Sequence, residues 1–117
     1  MSNDSIQQLT TRILEFCEER NWAQFHSPKD MAVAIAAEAG ELMQHFVWQS
    51  PEQSFERVAT KREEIASEVA DVAILLMEFA HVAGIDLGAA VDAKLKRNAE
   101  RYPIAKAHGS NKKYNEL

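Results

Sequence analysis

Apolar residues in this chain return every three or four positions, and no stretch alternates apolar with polar residues as a half-buried strand would. That periodicity confines the fold to packed helices. Ile6, Leu9, Ile13, Phe16 and Cys17 place one apolar face on a first helix from about Ser5 to Arg20. Ser27-Pro28 and Ser50-Pro51 then read as helix starts. In each, Ser supplies the cap oxygen, and Pro at the first helical position lacks an N–H that would be unsatisfied anyway. The first start opens a helix to about Trp48, apolar almost all round from Met31 to Ala37, which implies burial against several neighbours. The second opens a short turn around Glu52 to Phe55 and a longer helix from about Arg57 to Ala83, stopped by Gly84. Asp86 caps a last helix from about Leu87 to Arg101. Tyr102-Pro103 closes it, because the residue before Pro avoids helical geometry. The expectation is an all-α fold, four main helices in a bundle, with one domain over residues 1–103 and a polar tail over 104–117.

A chain of 117 residues suits one small domain with little stability to spare. Its formal charge of -5 disfavours a nucleic-acid polymer as partner, since such binding needs Lys and Arg along the phosphates. Cys17 is the only cysteine, so no internal disulfide forms and a reducing compartment fits. The opening MSNDSIQQLTTR lacks the apolar core of a signal peptide. The longest apolar region, Val69 to Ala83, is interrupted by Asp71, Glu78 and His81. A cytoplasmic protein with no membrane partner is expected.

Two acidic pairs stand out, Glu38 with Glu41 and Glu68 with Asp71. Each pair is spaced by three, so its members are neighbours on a helix surface. No Lys or Arg lies three or four residues from any of the four, and Glu64 adds another negative charge one turn before Glu68. Like charges at this spacing destabilise a helix by roughly 0.2–0.5 kcal/mol per pair. A buried carboxylate must, moreover, take up a proton or find a cation. A divalent ion held between the two helices would answer for both pairs, and carboxylate oxygens suit Mg²⁺ or Mn²⁺. A solvated acidic face, or pairing with Lys or Arg from another helix, answers for either pair taken singly. Spacing does not separate these readings.

Other residues carry weaker signals. Trp48 stands seven residues beyond Glu41, and Leu75 and Glu78 stand seven beyond Glu68 and Asp71, which returns each to nearly the same helix face. Lys94, Asn98 and Tyr102, spaced by four and flanked by Arg101, form a polar stripe able to grip a polyphosphate or merely to face water. Trp22, Phe25 and Trp48 could stack on a nucleobase or fill the core. His26 and His45 could donate to phosphate or to local groups. Glu78 and His81 match the Glu-x-x-His spacing of ferritin-like di-metal carboxylate bundles once, with no second copy. A non-enzymatic helical interaction module is a further alternative.

The segments EAGELMQHFVW, EEIASEVADV and KLKRNAERYP, with NWAQFHSPKDMAVAIAAEAGEL and the ending GSNKKYNEL, resemble the all-α nucleoside triphosphate pyrophosphohydrolases of the MazG-like superfamily, nearest to the dCTP pyrophosphatase branch. The resemblance runs from about Asn21 to Leu117. It implies a helical bundle assembled as a homotetramer, a dimer of dimers. It implies Mg²⁺-dependent hydrolysis of a deoxynucleoside triphosphate, dCTP or a related one, to the monophosphate and pyrophosphate. It implies metal ligands at Glu38, Glu41, Glu68 and Asp71, with Glu41 or Glu38 as the catalytic base. It also implies substrate contacts at Lys94, Asn98 and Tyr102, and at Trp22 and Trp48 near the base; His26, able to donate to phosphate, is a further candidate for binding substrate. Ile13 and Leu75 stand where vertebrate members of this branch carry His and Tyr.

Overall fold

The computed structural model describes residues 5–117, so the first four residues of the expected domain lie outside the described chain. Six α-helices follow in order: α1 (Ile6–Glu19), α2 (Pro28–Gln44), α3 (Pro51–Thr60), α4 (Arg62–Val82), α5 (Leu87–Arg101) and the short α6 (Ile104–Ala107). Single 3-10 turns cover Ala23–Phe25 and Tyr114–Glu116, and no strand occurs among the described residues. The expected all-α class is what forms.

The helix starts are those marked by the cap residues. The Ser27 hydroxyl accepts from the N–H of Asp30 at 3.1 Å, ahead of Pro28. Ser5 and Ser50 each form a reciprocal capping box, with Gln8 and with Gln53. Asp86 accepts from the N–H of Ala89 at 3.0 Å. At the far end of α4, Gly84 takes a left-handed φ of 69°. Its N–H bonds the carbonyl of His81 at 3.1 Å, and that of Ile85 bonds Ala80 at 2.8 Å, the double closure that only a left-handed residue completes comfortably.

Two boundaries differ from expectation. The turn and long helix expected over 52–83 are two helices, because the capping box at Ser50 starts α3 at once and the backbone leaves helical geometry at Lys61, φ -116° and ψ 32°. The helix expected to reach Trp48 ends at Gln44. There the N–H groups of His45 and Phe46 bond three residues back, at 3.3 and 2.9 Å, which tightens the end of the helix. Trp48 then takes a φ of 65° and is 96% exposed, so it does not continue the Glu41 face.

The described residues up to Ile85 form one compact unit and Asp86–Leu117 another. In the first, α4 is central: α2 packs along it, and α1 and α3 lie against it. Cys17, Met31, Ile65 and Ala80 are its buried apolar residues, with Glu78 buried among them. The all-round apolar surface of α2 is only partly covered, for Met31 is buried while Val33 remains 61% exposed. In the second unit, Tyr114 of the last turn packs edge-on against Tyr102, 6.1 Å between ring centres, and lies under the Arg101 guanidinium at 4.6 Å.

Candidate functional site

The packing of α2 on α4 brings the two acidic pairs together. The carboxyl of Glu38 is pushed above its ordinary value, first by removal from water, then by the neighbouring Glu41, and then by Asp71 and Glu68 from the facing helix. Glu38 therefore feels the other three carboxylates across a helix pair that local spacing could not establish. Oε2 of Glu38 and Oε2 of Glu68 are buried with no hydrogen-bond donor. His45, just past α2, brings Nε2 to 2.6 Å from Oε2 of Glu68, without the alignment of a hydrogen bond. Sequence reasoning had His45 donating to phosphate or to local groups, without naming Glu68. Its signal was its place four residues after Glu41, on the same side of the helix.

The cluster fits a hard divalent cation on its own chemistry. Four carboxylates from two helices, two of them with orphaned buried oxygens, offer an all-oxygen donor set whose mutual repulsion a positive ion removes. The alternative of pairing with Lys or Arg from another helix finds no support among the described ion pairs, where Glu68 meets only His45.

Glu38 and Asp71 also line a cavity of about 780 Å³ in the first unit. Its walls carry Ile13, Trp22, His26 and Leu75, and Cys17 and Glu78 lie deeper. Trp22 is set by an edge-on contact with Phe16, 5.6 Å between centres, and both line the cavity. The cavity thus joins a strongly acidic end to an apolar and aromatic wall. A phosphorylated aromatic compound matches that polarity once a cation neutralises the acidic end.

Glu78 has a place that sequence reasoning did not find. The ferritin-like pairing with His81 does not form: His81 is exposed, and Glu78 meets Cys17 and His26 instead. The Cys17 thiol donates to Oε1 of Glu78 at 3.3 Å, and His26 Nδ1 lies 3.2 Å from Oε2. Burial, and then the Glu78 carboxylate, push the Cys17 thiol up to about 11. The available signal was a lone glutamate within the apolar run ILLMEFAHV, with no Lys or Arg three or four residues away.

Trp48 is not among the residues lining the cavity. Lys94, Asn98 and Tyr102 lie on or just past α5 in the second unit, where Asn98 and Tyr102 are half-buried and Lys94 is exposed.

A family model described as the MazG-like family matches residues 33–117. Among curated proteins, dCTP pyrophosphatase 1 of Bos taurus is 34% identical over 99% of this chain and 70% of its own length. That of Homo sapiens is 38% identical over 88% of this chain and 62% of its own. The chain therefore spans less than two thirds of the human relative's length. Among solved structures, a pyrophosphatase from Archaeoglobus fulgidus superposes with a TM-score of 0.81 at 34% identity, covering 88% of this chain and 96% of that one.

Proposed function

Since the chain belongs to the MazG-like family, we propose that it is a nucleoside triphosphate pyrophosphohydrolase that converts dCTP or a related deoxynucleoside triphosphate to the monophosphate and pyrophosphate. The observation that carries this reading is the convergence of Glu38 with Glu41, Glu68 and Asp71 across α2 and α4, where Glu38 and Asp71 open onto a cavity walled by Trp22. Curated relatives named for dCTP pyrophosphatase support the substrate class.

Glu38, Glu41, Glu68 and Asp71 would hold the divalent cation, Mg²⁺ or Mn²⁺. When bound, it supplies positive charge that polarises the phosphate oxygens and offsets the charge of the triphosphate. Glu41 is more exposed than Glu38 and takes the proton of the attacking water. The water oxygen bonds to the α-phosphorus, the bond from that phosphorus to the α–β bridging oxygen breaks, and pyrophosphate leaves with the electron pair. His45 holds Glu68 in place, so that ligand direction is fixed before substrate arrives. Trp22 and His26, which line the cavity, would contact the nucleoside, and the family resemblance also assigns Trp48, Lys94, Asn98 and Tyr102 to the substrate. The chain works in the cytoplasm as a homotetramer, and the apolar residues left exposed on α2 and α4 support burial beyond one chain.

The test is a panel of nucleoside triphosphates with Mg²⁺, assayed separately for pyrophosphate and for inorganic phosphate. Pyrophosphate release, greatest with dCTP or a close analogue, is expected. Release of inorganic phosphate alone, or no turnover of any triphosphate, would overturn the reading.

A further inference from the structure

Cys17 from α1, His26 from the connector that follows and Glu78 from α4 meet in a cluster separate from the four carboxylates. One ligand-type atom from each lies within 4.8 Å of the others. Glu78 is 5% exposed, and its Oε2 is buried without a hydrogen-bond donor. A carboxylate so placed requires a proton or a cation. Among the described ion pairs, Glu78 meets His26.

We propose that Cys17, His26 and Glu78 form a second metal site, selective for Zn²⁺ or a similar borderline-soft divalent ion, and distinct from the all-oxygen site of the four carboxylates. The donor set decides the metal: a thiolate and an imidazole with one carboxylate suit Zn²⁺ and are poor ligands for Mg²⁺. The three residues already stand together, one ligand-type atom from each within 4.8 Å of the others. Zinc bonds of about 2.0–2.3 Å in a tetrahedron place neighbouring ligand atoms roughly 3.3–3.8 Å apart. Sγ of Cys17 is 3.3 Å from Oε1 of Glu78, and Nδ1 of His26 is 3.2 Å from Oε2. The two contacts fall on different oxygens of Glu78, so the carboxylate turns to bring one oxygen, the sulfur and the nitrogen onto one ion.

Cys17 donates to Glu78, so it enters as a thiol. The S–H bond breaks, sulfur keeps the electron pair and bonds the metal, and the proton passes to solvent. The ion in turn relieves the burial and the facing negative charge that hold the thiol protonated. Three protein ligands leave one position of a tetrahedral ion open, and all three residues line the cavity. The site ties α1 to α4, and substrate or water takes the fourth position.

The test uses the full chain in excess Mg²⁺. Zn²⁺ is added at micromolar concentration and bound metal is counted after desalting; Co²⁺ then replaces Zn²⁺ and the thiolate-to-cobalt charge-transfer band is recorded. One zinc per chain, one proton released per ion and a charge-transfer band are expected. Cys17→Ser should lose the band, and Glu78→Gln should weaken zinc binding at least tenfold, each with an unchanged helical circular dichroism spectrum. Glu38→Gln should retain both zinc and the band, which separates this site from the four-carboxylate one whatever becomes of the pyrophosphohydrolase reading. No zinc retained by the wild-type chain, or equal zinc in the wild type and in Glu78→Gln, would overturn the proposal. If Glu78→Gln fails to fold, Cys17→Ala decides in its place.

Discussion

Glu38 concentrates the electrostatics of the acidic cluster, because burial and three neighbouring carboxylates all favour its protonated form. Its folded-state affinity for a proton therefore exceeds that of the unfolded chain, with an ordinary value of 4.5. For the metal-free protein, the contribution of this group to stability is full below that value and is lost as pH rises through the raised one. Mg²⁺ should therefore raise the melting temperature more at pH 7 than at pH 5, where protons already do part of the cation's work. A thermal-shift series across that range checks it, and a gain independent of pH would contradict the assignment. The same four residues make a catalytic prediction. Glu41→Gln and Glu68→Gln should each abolish Mg²⁺-dependent pyrophosphate release with circular dichroism unchanged, and full activity in both would remove the carboxylates from the site. Their pairwise spacing was legible in the sequence. The cavity that Glu38 and Asp71 share with Trp22, and the approach of His45 to Glu68, were not, since neither follows from neighbours along one helix.

Helix ends were the most legible elements, since a cap is a local bargain between a side chain and orphaned backbone groups. Ser27, Ser50, Asp86 and Gly84 all stand where the helices begin or stop. Ser50→Ala should cost about 0.5–2 kcal/mol, because the capping box of α3 loses the acceptor for the Gln53 N–H. Gly84→Ala should cost about 1–2 kcal/mol, through the left-handed backbone alone, as no atom lies within 4 Å of the added methyl group. Denaturant unfolding measures both, and a neutral Gly84→Ala would show that the end of α4 refolds to another closure. The end of α2 was misread because apolar residues continue through Phe46 and Val47, while the turn there is set by backbone bonds three residues back.

Among the described residues of the first unit few apolar side chains are hidden, and Met31 is the one large side chain almost wholly enclosed. Val33 and Met43 on α2 and Val69 and Leu76 on α4 remain exposed. Separate apolar residues on a surface are ordinary, yet two adjoining helices that both carry them gain from a further copy of the chain. The proposed homotetramer makes stability depend on concentration. The melting temperature should rise across a hundredfold increase in protein concentration, and light scattering should give four times the chain mass of 13.2 kDa. A monomer with a concentration-independent transition would contradict the assembly.

Local chemistry determined a good deal by itself. Apolar period, Ser-Pro starts, a Gly stop and acidic residues three apart are statements about residues within a turn or two of each other. They fixed the helical class, most boundaries and the two acidic pairs. The tertiary structure decided which helices meet. It set α2 against α4, so that Glu38 feels Asp71 and Glu68, and it joined Cys17 to Glu78 across 61 residues. Such encounters depend on how whole apolar faces pack, and helical periodicity names a face without naming its partner. That is why the contact of Glu78 with a cysteine on another helix could not be read from its own helix.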